Sequence, residues 1–295
     1  MGRCIVKLYG ITQDPETENY AMVLDFAEDG DLRNYLNKNH NKLYLNDKIN
    51  YLLSIARGLA DIHKNELIHR DLHIGNILRF NDLTCITDMG LCKPADYNPS
   101  ENTKKGTYGI LPYIAPEILR GQNYTKASDI YSFGIIMYEV ISELPPYHDV
   151  SHDHNLAIKI CKGLRPRFNI KVPQLIVHLI KRCLDSNPLS RPKAEEIKKT
   201  LNQWSEELIT AFKNHYVTDN YTEIQKQIIE AENINKNLAV SSATSTSLGL
   251  SYKSRSENIY TSRLLNFNNL PEPKNTVDYY DQNDDIISME SPGNG

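Results

Sequence analysis

The 295-residue sequence predicts an α+β fold in which a small β portion at the N-terminus precedes a larger, mainly helical lobe. Three observations predict it. Residues 1–30 alternate apolar and polar groups in "CIVKLYGI" and "YAMVLDFA", on either side of the Pro-containing loop "TQDPETEN". That period of two is the pattern of paired strands. "LNDKINYLLSIARGLADIHKN" (45–65) sets Ile49, Leu52, Leu53, Ala56, Leu59 and Ile62 on one face at helical spacing. "KASDIYSFGIIMYEVISE" (126–143) is apolar nearly all round, which predicts a buried central helix.

The remaining elements follow in order. "VPQLIVHLIKRCL" and "RPKAEEIKKTLNQW" read as further helices, the second with Pro192 near its start, where a missing N–H costs little. The organisation expected is a β portion over 1–30, a helical lobe over 31–212 and a helical extension over 213–235. The tail over 236–295 is rich in Ser, Thr, Asn and turn formers and is expected to be disordered, because its mean apolar content does not offset the entropy of ordering it. Histidines 148, 152 and 154 read as loop or surface residues, since no ligand cluster accompanies them.

Composition limits the function classes. Hydrophobic residues are 40% and charged residues 24% of the chain, ordinary for a globular protein. A net charge of −4 without a basic run gives no electrostatic reason for a nucleic-acid or membrane partner. The five cysteines contain no C-x-x-C pair. A reducing compartment is therefore expected, cytoplasmic with the nucleus as an alternative. No secretory leader and no membrane-spanning apolar run is read, and Val6 argues against a myristoylation signal at Gly2.

The chemistry concentrates in "HRDLHIGN", which carries Asp71 and, at the fifth position after it, Asn76. Downstream, "TDMGL" carries Asp88. Between them "ILRFNDLTCIT" reads as two short strands around the turn "FND", a device for delivering Asp88 toward Asn76. Phosphoryl transfer asks a protein mainly for metal ligands, a carboxylate that takes the incoming hydroxyl's proton, and fixed geometry. Asp71 fits the base, and Asn76 and Asp88 fit oxygen ligands of Mg²⁺.

With these residues in view, the chain resembles a eukaryotic protein kinase domain of the tyrosine-kinase-like serine/threonine group, over about residues 4–204. The motifs that carry the resemblance are "HRD" with its Asn76, "DMG" in the place of DFG, "PYIAPE" with Glu117, "SDIYSFGIIMYEV" with Asp129, and "NPLSRP" with Arg191. It implies a protein-kinase-like fold with ATP and Mg²⁺ as cofactors and a protein substrate, and it leaves room for an upstream kinase as partner. It further implies that Leu24 backs the adenine pocket and that Asp25, Phe26 and Ala27 form the hinge. Asp31 would contact ribose and Leu78 would floor the base. Leu8, Met89 and His69 would stack as a spine, Asp129 would hold the catalytic-loop backbone, and Arg191 would pair with Glu117. Arg70 would answer a phosphate on the activation segment, where Ser100, Thr103, Thr107 and Tyr108 are the candidate acceptors.

The sequence also departs from the family pattern. Residues 1–30 contain no G-x-G-x-x-G and no V-A-I-K, and Lys7 belongs to a strand-four-like stretch. The first reading of this is an incomplete kinase sequence, the second a natural truncation. His73 stands where serine/threonine kinases often carry Lys, and Ile110 where they carry Thr. His73 retains a hydrogen-bond donor for a phosphate. Two other functions compete with the kinase reading. One is a catalytically impaired kinase-like scaffold; the other is a small-molecule phosphotransferase, suggested by "DLHIGNIL" but lacking any reason for "PYIAPE" and "NPLSRP".

Overall fold

Residues 4–81, 83–97, 107–213, 221–243 and 260–276 are described in a computed structural model of the chain. The alternating N-terminal stretch forms an antiparallel hairpin of β1 (Leu8–Gln13) and β2 (Tyr20–Leu24), with Leu8 opposite Leu24, Gln13 opposite Tyr20, and a bulge after Leu8. Its side chains are exposed along both strands save Gly10. The hairpin is tied down through the chain before it. Val6 N–H donates to Ile86 O, and Ile86 N–H donates to Cys4 O, both at 2.9 Å.

The helical lobe begins with α1 (Leu32–Lys38), capped by the Asp31 carboxylate, which accepts from Asn34 N–H at 3.0 Å. α2 (Leu45–Lys64) carries the predicted apolar face, and Ile49, Leu52, Leu53, Ala56, Leu59 and Ile62 are all buried. Gly58 on α2 permits the close approach of the N-terminal segment, since a Cβ there would lie 2.4 Å from Cys4 O. A short strand β3 (Leu67–Ile68) leads into the "HRD" stretch. The expected hairpin follows as β4 (Ile77–Phe80) and β5 (Leu83–Ile86), with Ile77 opposite Ile86. β6 (Lys93–Pro94) pairs with β3, and β7 (Thr107–Gly109) closes the segment that leads to "PYIAPE". Ser100 and Thr103 lie outside the described residues.

α3 (Pro116–Leu119) is a single turn begun by Pro116. α4 (Lys126–Ser142) is the central helix: Thr125 and Ser128 form a reciprocal capping box, and every residue from Ser128 to Ser142 is buried. α5 (His154–Cys161) is capped by Asp153, and α6 (Gln174–Cys183) crosses α4. Gly134 makes that crossing possible, because a Cβ would stand 2.8 Å from the side chains of Cys183 and Leu184. α7 (Ala194–Lys213) packs along α2, and α8 (Glu223–Ala243) returns against α7. One apolar core runs from Leu32 through α2, α4 and α6 to Ile228. The architecture is the expected α+β one. Among the described residues no helix is long and apolar enough to cross a membrane.

The tail departs from expectation. The helix expected over 213–235 starts at Glu223 and runs on to Ala243, and residues 260–276, expected to be disordered, lie ordered on the lobe. There β8 (Arg263–Leu265) pairs antiparallel with β7, Thr107 opposite Leu265 and Gly109 opposite Arg263. The physical reason is local. Leu265 is buried, and Tyr260, Phe267 and Leu270 pack against the core, while the ladder satisfies backbone groups that composition counts as a cost. His152, read as a surface residue, is buried for the same reason, its ring edge-on to Tyr260 at 4.8 Å.

Candidate active site

The site is built on one buried carboxylate. Asp129, in the first turn of α4, accepts from the backbone N–H of His69 at 2.8 Å and of Arg70 at 3.0 Å, and lies 2.9 Å from His63 Nε2. These contacts stabilise a turn in which Arg70 takes a φ of 73°, the left-handed region a non-glycine residue enters only when its surroundings hold it there. The Arg70 guanidinium lies over the Tyr124 ring at 4.8 Å.

His69 links this turn to the "DMG" strand end. Asp71 N–H donates to His69 Nδ1 at 3.3 Å, so Nδ1 is the acceptor and Nε2 carries the proton that goes to Thr87 O at 3.0 Å. His69 is therefore fixed between the "HRD" turn and the residue before Asp88. The β4–β5 hairpin makes the second link: Thr87 N–H donates to Asn76 O at 2.9 Å. Asn76 also donates from Nδ2 to Asp71 O at 2.9 Å, which leaves its Oδ1 as the group available to a cation. Asp88 is held left-handed at φ 57°, with Gly90 N–H donating to its Oδ1 at 3.3 Å.

This donor set fits Mg²⁺. An amide oxygen and a carboxylate, with substrate phosphates and water supplying the rest, is the kind of site that ion takes. Among the described residues no group of three or more His, Cys, Asp or Glu side chains gathers as an all-protein cage.

His73 is buried, its Nε2 3.8 Å from Asp71 Oδ2 and its ring 6.0 Å from that of Tyr113. Ile110 is buried in the core and offers no polar group to Asp71. The expected Glu117–Arg191 pair forms as a fork, Nη1 to Oε1 at 2.7 Å and Nη2 to Oε2 at 2.8 Å, with Arg191 Nε donating to Asp185 O.

Of the residues assigned to the base pocket, Leu78 lies on β4, within the braced hairpin, while Leu24 ends β2 and Asp25 and Ala27 follow it. Leu24 is 40% exposed and Phe26 is exposed, while Asp25 accepts from Tyr9 Oη at 2.7 Å. Ala27 O accepts from Gly30 N–H at 3.1 Å. Asp31, which bridges Leu78, uses its carboxylate as the α1 cap. The spine stack is not formed at Leu8: that side chain is 51% exposed, whereas His69 is buried and Met89 partly buried against the core. Ile11, Met22 and Val23 of the same hairpin are exposed with it.

Sequence reasoning missed two groups here. Arg33, Tyr113 and Glu139 form a buried knot: Arg33 Nε donates to Glu139 Oε1 at 2.9 Å, Arg33 Nη2 to Tyr113 Oη at 2.6 Å, and Tyr113 Oη to Glu139 Oε2. Burial, with Glu139 alongside, pushes the Tyr113 hydroxyl pKa well up. These residues lie far apart in sequence, and although Tyr113 falls within "PYIAPE" and Glu139 within "SDIYSFGIIMYEV", nothing in those motifs signals a contact with Arg33. The second is Ser262, whose Oγ is 3.0 Å from Asp71 Oδ2 and 3.3 Å from Oδ1. Nothing in "YTSRLLNF" signals that contact.

A family model described as protein tyrosine and serine/threonine kinase matches residues 2–201. A Dictyostelium discoideum protein named "Probable serine/threonine-protein kinase" is 35% identical over 67% of this chain, and the match spans 12% of that protein. An Arabidopsis thaliana protein named "Serine/threonine/tyrosine-protein kinase HT1" is 31% identical over 63% of the chain and 48% of its own length. "Tyrosine-protein kinase SPK-1" of Girardia tigrina is 30% identical over 64% of the chain and 40% of its own. The chain thus spans less than half of each of these curated relatives. By the extent of the family match and the motifs that lie within it, this chain belongs to the protein tyrosine and serine/threonine kinase family.

Proposed function

We propose that the chain works as the catalytic lobe of an ATP-dependent protein kinase that transfers the γ-phosphoryl group to a serine or threonine hydroxyl of a protein. The observation that carries this reading is the common frame of the three polar groups. Asp129 and His69 fix the turn that bears Asp71, Asn76 is hydrogen-bonded to that same turn, and the β4–β5 hairpin ties Asn76 to the residue before Asp88. Such preorganisation is what phosphoryl transfer takes from a protein.

In this reading Asp71 orients the incoming hydroxyl and accepts its proton, while His73 beside it donates to a phosphate oxygen. Asn76 Oδ1 and the Asp88 carboxylate hold Mg²⁺. The bound ion neutralises charge on the phosphates. Leu24, Asp25 and Ala27 border the adenine, Asp31 faces ribose and Leu78 underlies the base. Protein substrates, and an upstream kinase that phosphorylates the segment before Glu117, are the partners. Free thiols at all five cysteines support a reducing compartment, cytoplasmic or nuclear.

The test is transfer of labelled phosphate from Mg²⁺-ATP to a mixed library of Ser-, Thr- and Tyr-containing peptides. Labelling of Ser and Thr peptides that is lost in Asp71→Asn is expected. No labelling either by the chain or by Leu265→Asp, which loosens the segment that sets Ser262 against Asp71, with Asp71→Asn indistinguishable from both, overturns the reading and leaves the kinase-like scaffold.

A further inference from the structure

Residues 260–276 lie where nothing in the family match reaches, since that match ends at residue 201. They are bound to the lobe at every stage of their length. Tyr260 Oη donates to Pro146 O at 3.2 Å, and the Arg33 guanidinium covers the Tyr260 ring at 4.6 Å. Arg263 Nη2 donates to His152 O at 2.7 Å, and the Phe267 ring lies 5.7 Å from that of His154. Beyond the strand, Arg120 donates to the Glu272 carboxylate at 2.7 Å, Lys274 N–H donates to Cys161 O at 3.0 Å, and Thr276 Oγ1 to Gly163 O at 3.1 Å. Gly163, at φ 99°, is needed here, because a Cβ would stand 2.8 Å from Lys274 O.

The register of this segment is what gives it meaning. β8 adds to β7 at Thr107–Gly109, and the residue just before β8 is Ser262, whose hydroxyl points at both oxygens of Asp71. The same hydroxyl lies 3.4 Å from His73 Nε2. Gly109 clears the way: it sits at φ 146°, and a Cβ on it would come 3.3 Å from Asp71 Oδ1. A peptide that adds an extended strand to an exposed edge is a general recognition mode, with main-chain bonds for affinity and side-chain pockets for choice.

We propose that residues 260–276 are a substrate-mimicking strap. They occupy the groove between β7 and the α5 region that an extended protein substrate would take, hold Ser262 in the position of the acceptor hydroxyl at Asp71, and exclude other peptides until displaced. The inference rests on the protein-kinase reading for the word substrate; the occupancy itself rests on the contacts above. The strap masks Asp71 directly. It also competes as a tethered ligand, whose effective concentration is on the order of millimolar. A phosphate on Ser262 would set like charges together at Asp71 and eject the strap.

The experiment uses the full chain and two variants, Leu265→Asp, which puts a carboxylate into a buried apolar position, and Ser262→Glu, which leaves that position intact. Hydrogen exchange is followed at 107–109 and 263–265, and binding of a labelled synthetic peptide of residues 260–270 is titrated. Slow exchange at both strands in the parent chain is expected, with both accelerating together by about tenfold or more in either variant. The peptide should bind the variants about tenfold more tightly than the parent chain or better. Fast exchange at 107–109 in the parent chain, or equal peptide affinity for all three, overturns the strap. Labelling of the mixed peptide library from Mg²⁺-ATP by Leu265→Asp is read separately: its absence counts against the kinase reading, while exchange and peptide binding still decide the strap.

Discussion

Arg191 grips Glu117 with both arms of its guanidinium, at 2.7 and 2.8 Å, although 74 positions separate them in the chain. The pair is buried, and the third nitrogen of the arginine donates to Asp185 O. Glu117 stands in α3, at the end of the segment that forms β7, so the fork fastens that segment to the loop before α7. Removing one partner strands a buried charge, which typically costs ~3–5 kcal/mol. Glu117→Ala is expected to lose stability of that order in urea unfolding. Arg191→Lys should also be destabilising, because an ammonium cannot reproduce the fork. A loss under ~1 kcal/mol for Glu117→Ala would show the fork to be unimportant.

The frame around Asp71 predicts a separation of function from folding. Asp71→Asn keeps the shape of the side chain and removes the proposed base. With both chains carrying Leu265→Asp to release the strap, phosphate transfer to a peptide is expected to fall by about 10²–10⁴, the usual contribution of a positioned proton acceptor. The thermal midpoint should stay close to that of the parent chain. A transfer rate within a few-fold of the parent would remove Asp71 from the role.

Asp129→Ala should behave in the opposite way. It leaves the N–H groups of His69 and Arg70 and the His63 ring without their acceptor in a buried place. Each unsatisfied buried donor costs ~1–3 kcal/mol. Stability should therefore drop by several kcal/mol, and backbone exchange at residues 69 and 70 should accelerate before global unfolding. Unaltered exchange there would contradict the bracing role.

The buried thiols carry a pH signature. Burial pushes Cys183 from its ordinary 9.0 up to about 12, against the smaller downward pull of Arg182 and Arg191. The folded chain thus holds that proton more tightly than the unfolded chain. The stability it confers is full below pH 9 and is lost as pH rises toward about 12. Urea midpoints measured between pH 8 and pH 11 should fall with pH, by less in Cys183→Ala than in the parent chain. In iodoacetamide labelling at pH 8, half-buried Cys92 should react well ahead of Cys183. Equal labelling rates would refute the burial argument.

The legible parts of this molecule are those where local chemistry and local structure coincide. The α2 face, the all-round apolar α4 and the "FND" hairpin have periodicities that settle their class, and they appear where expected. Asp71, Asn76 and Asp88 could be picked out because a compact motif fixes their spacing. The Arg33–Tyr113–Glu139 knot could not, because three elements must already be packed before those groups meet. The tail was misjudged for a different reason. Its average composition is that of a solvated chain, but a few well-spaced anchors, Tyr260, Leu265, Phe267 and Leu270, suffice when a strand edge is waiting. Leu8 shows the converse: its alternating pattern gives a strand correctly, yet says nothing about whether its apolar face is covered.

If a foreign peptide takes the place of the strap, the pairing of Gly109 with Arg263 also writes its grammar. Strand pairing repeats every second residue, and a slip of one place turns every side chain to the other face. With the hydroxyl residue fixed at Asp71, the next position meets His152 O and favours a donor, as Arg263 does. The one after is open to solvent, as Leu264 is, and the third is enclosed and apolar, as Leu265 is. Peptides of the form hydroxyl–basic–any–apolar should therefore head the ranking in a peptide array, and moving the apolar residue by one place should erase the preference.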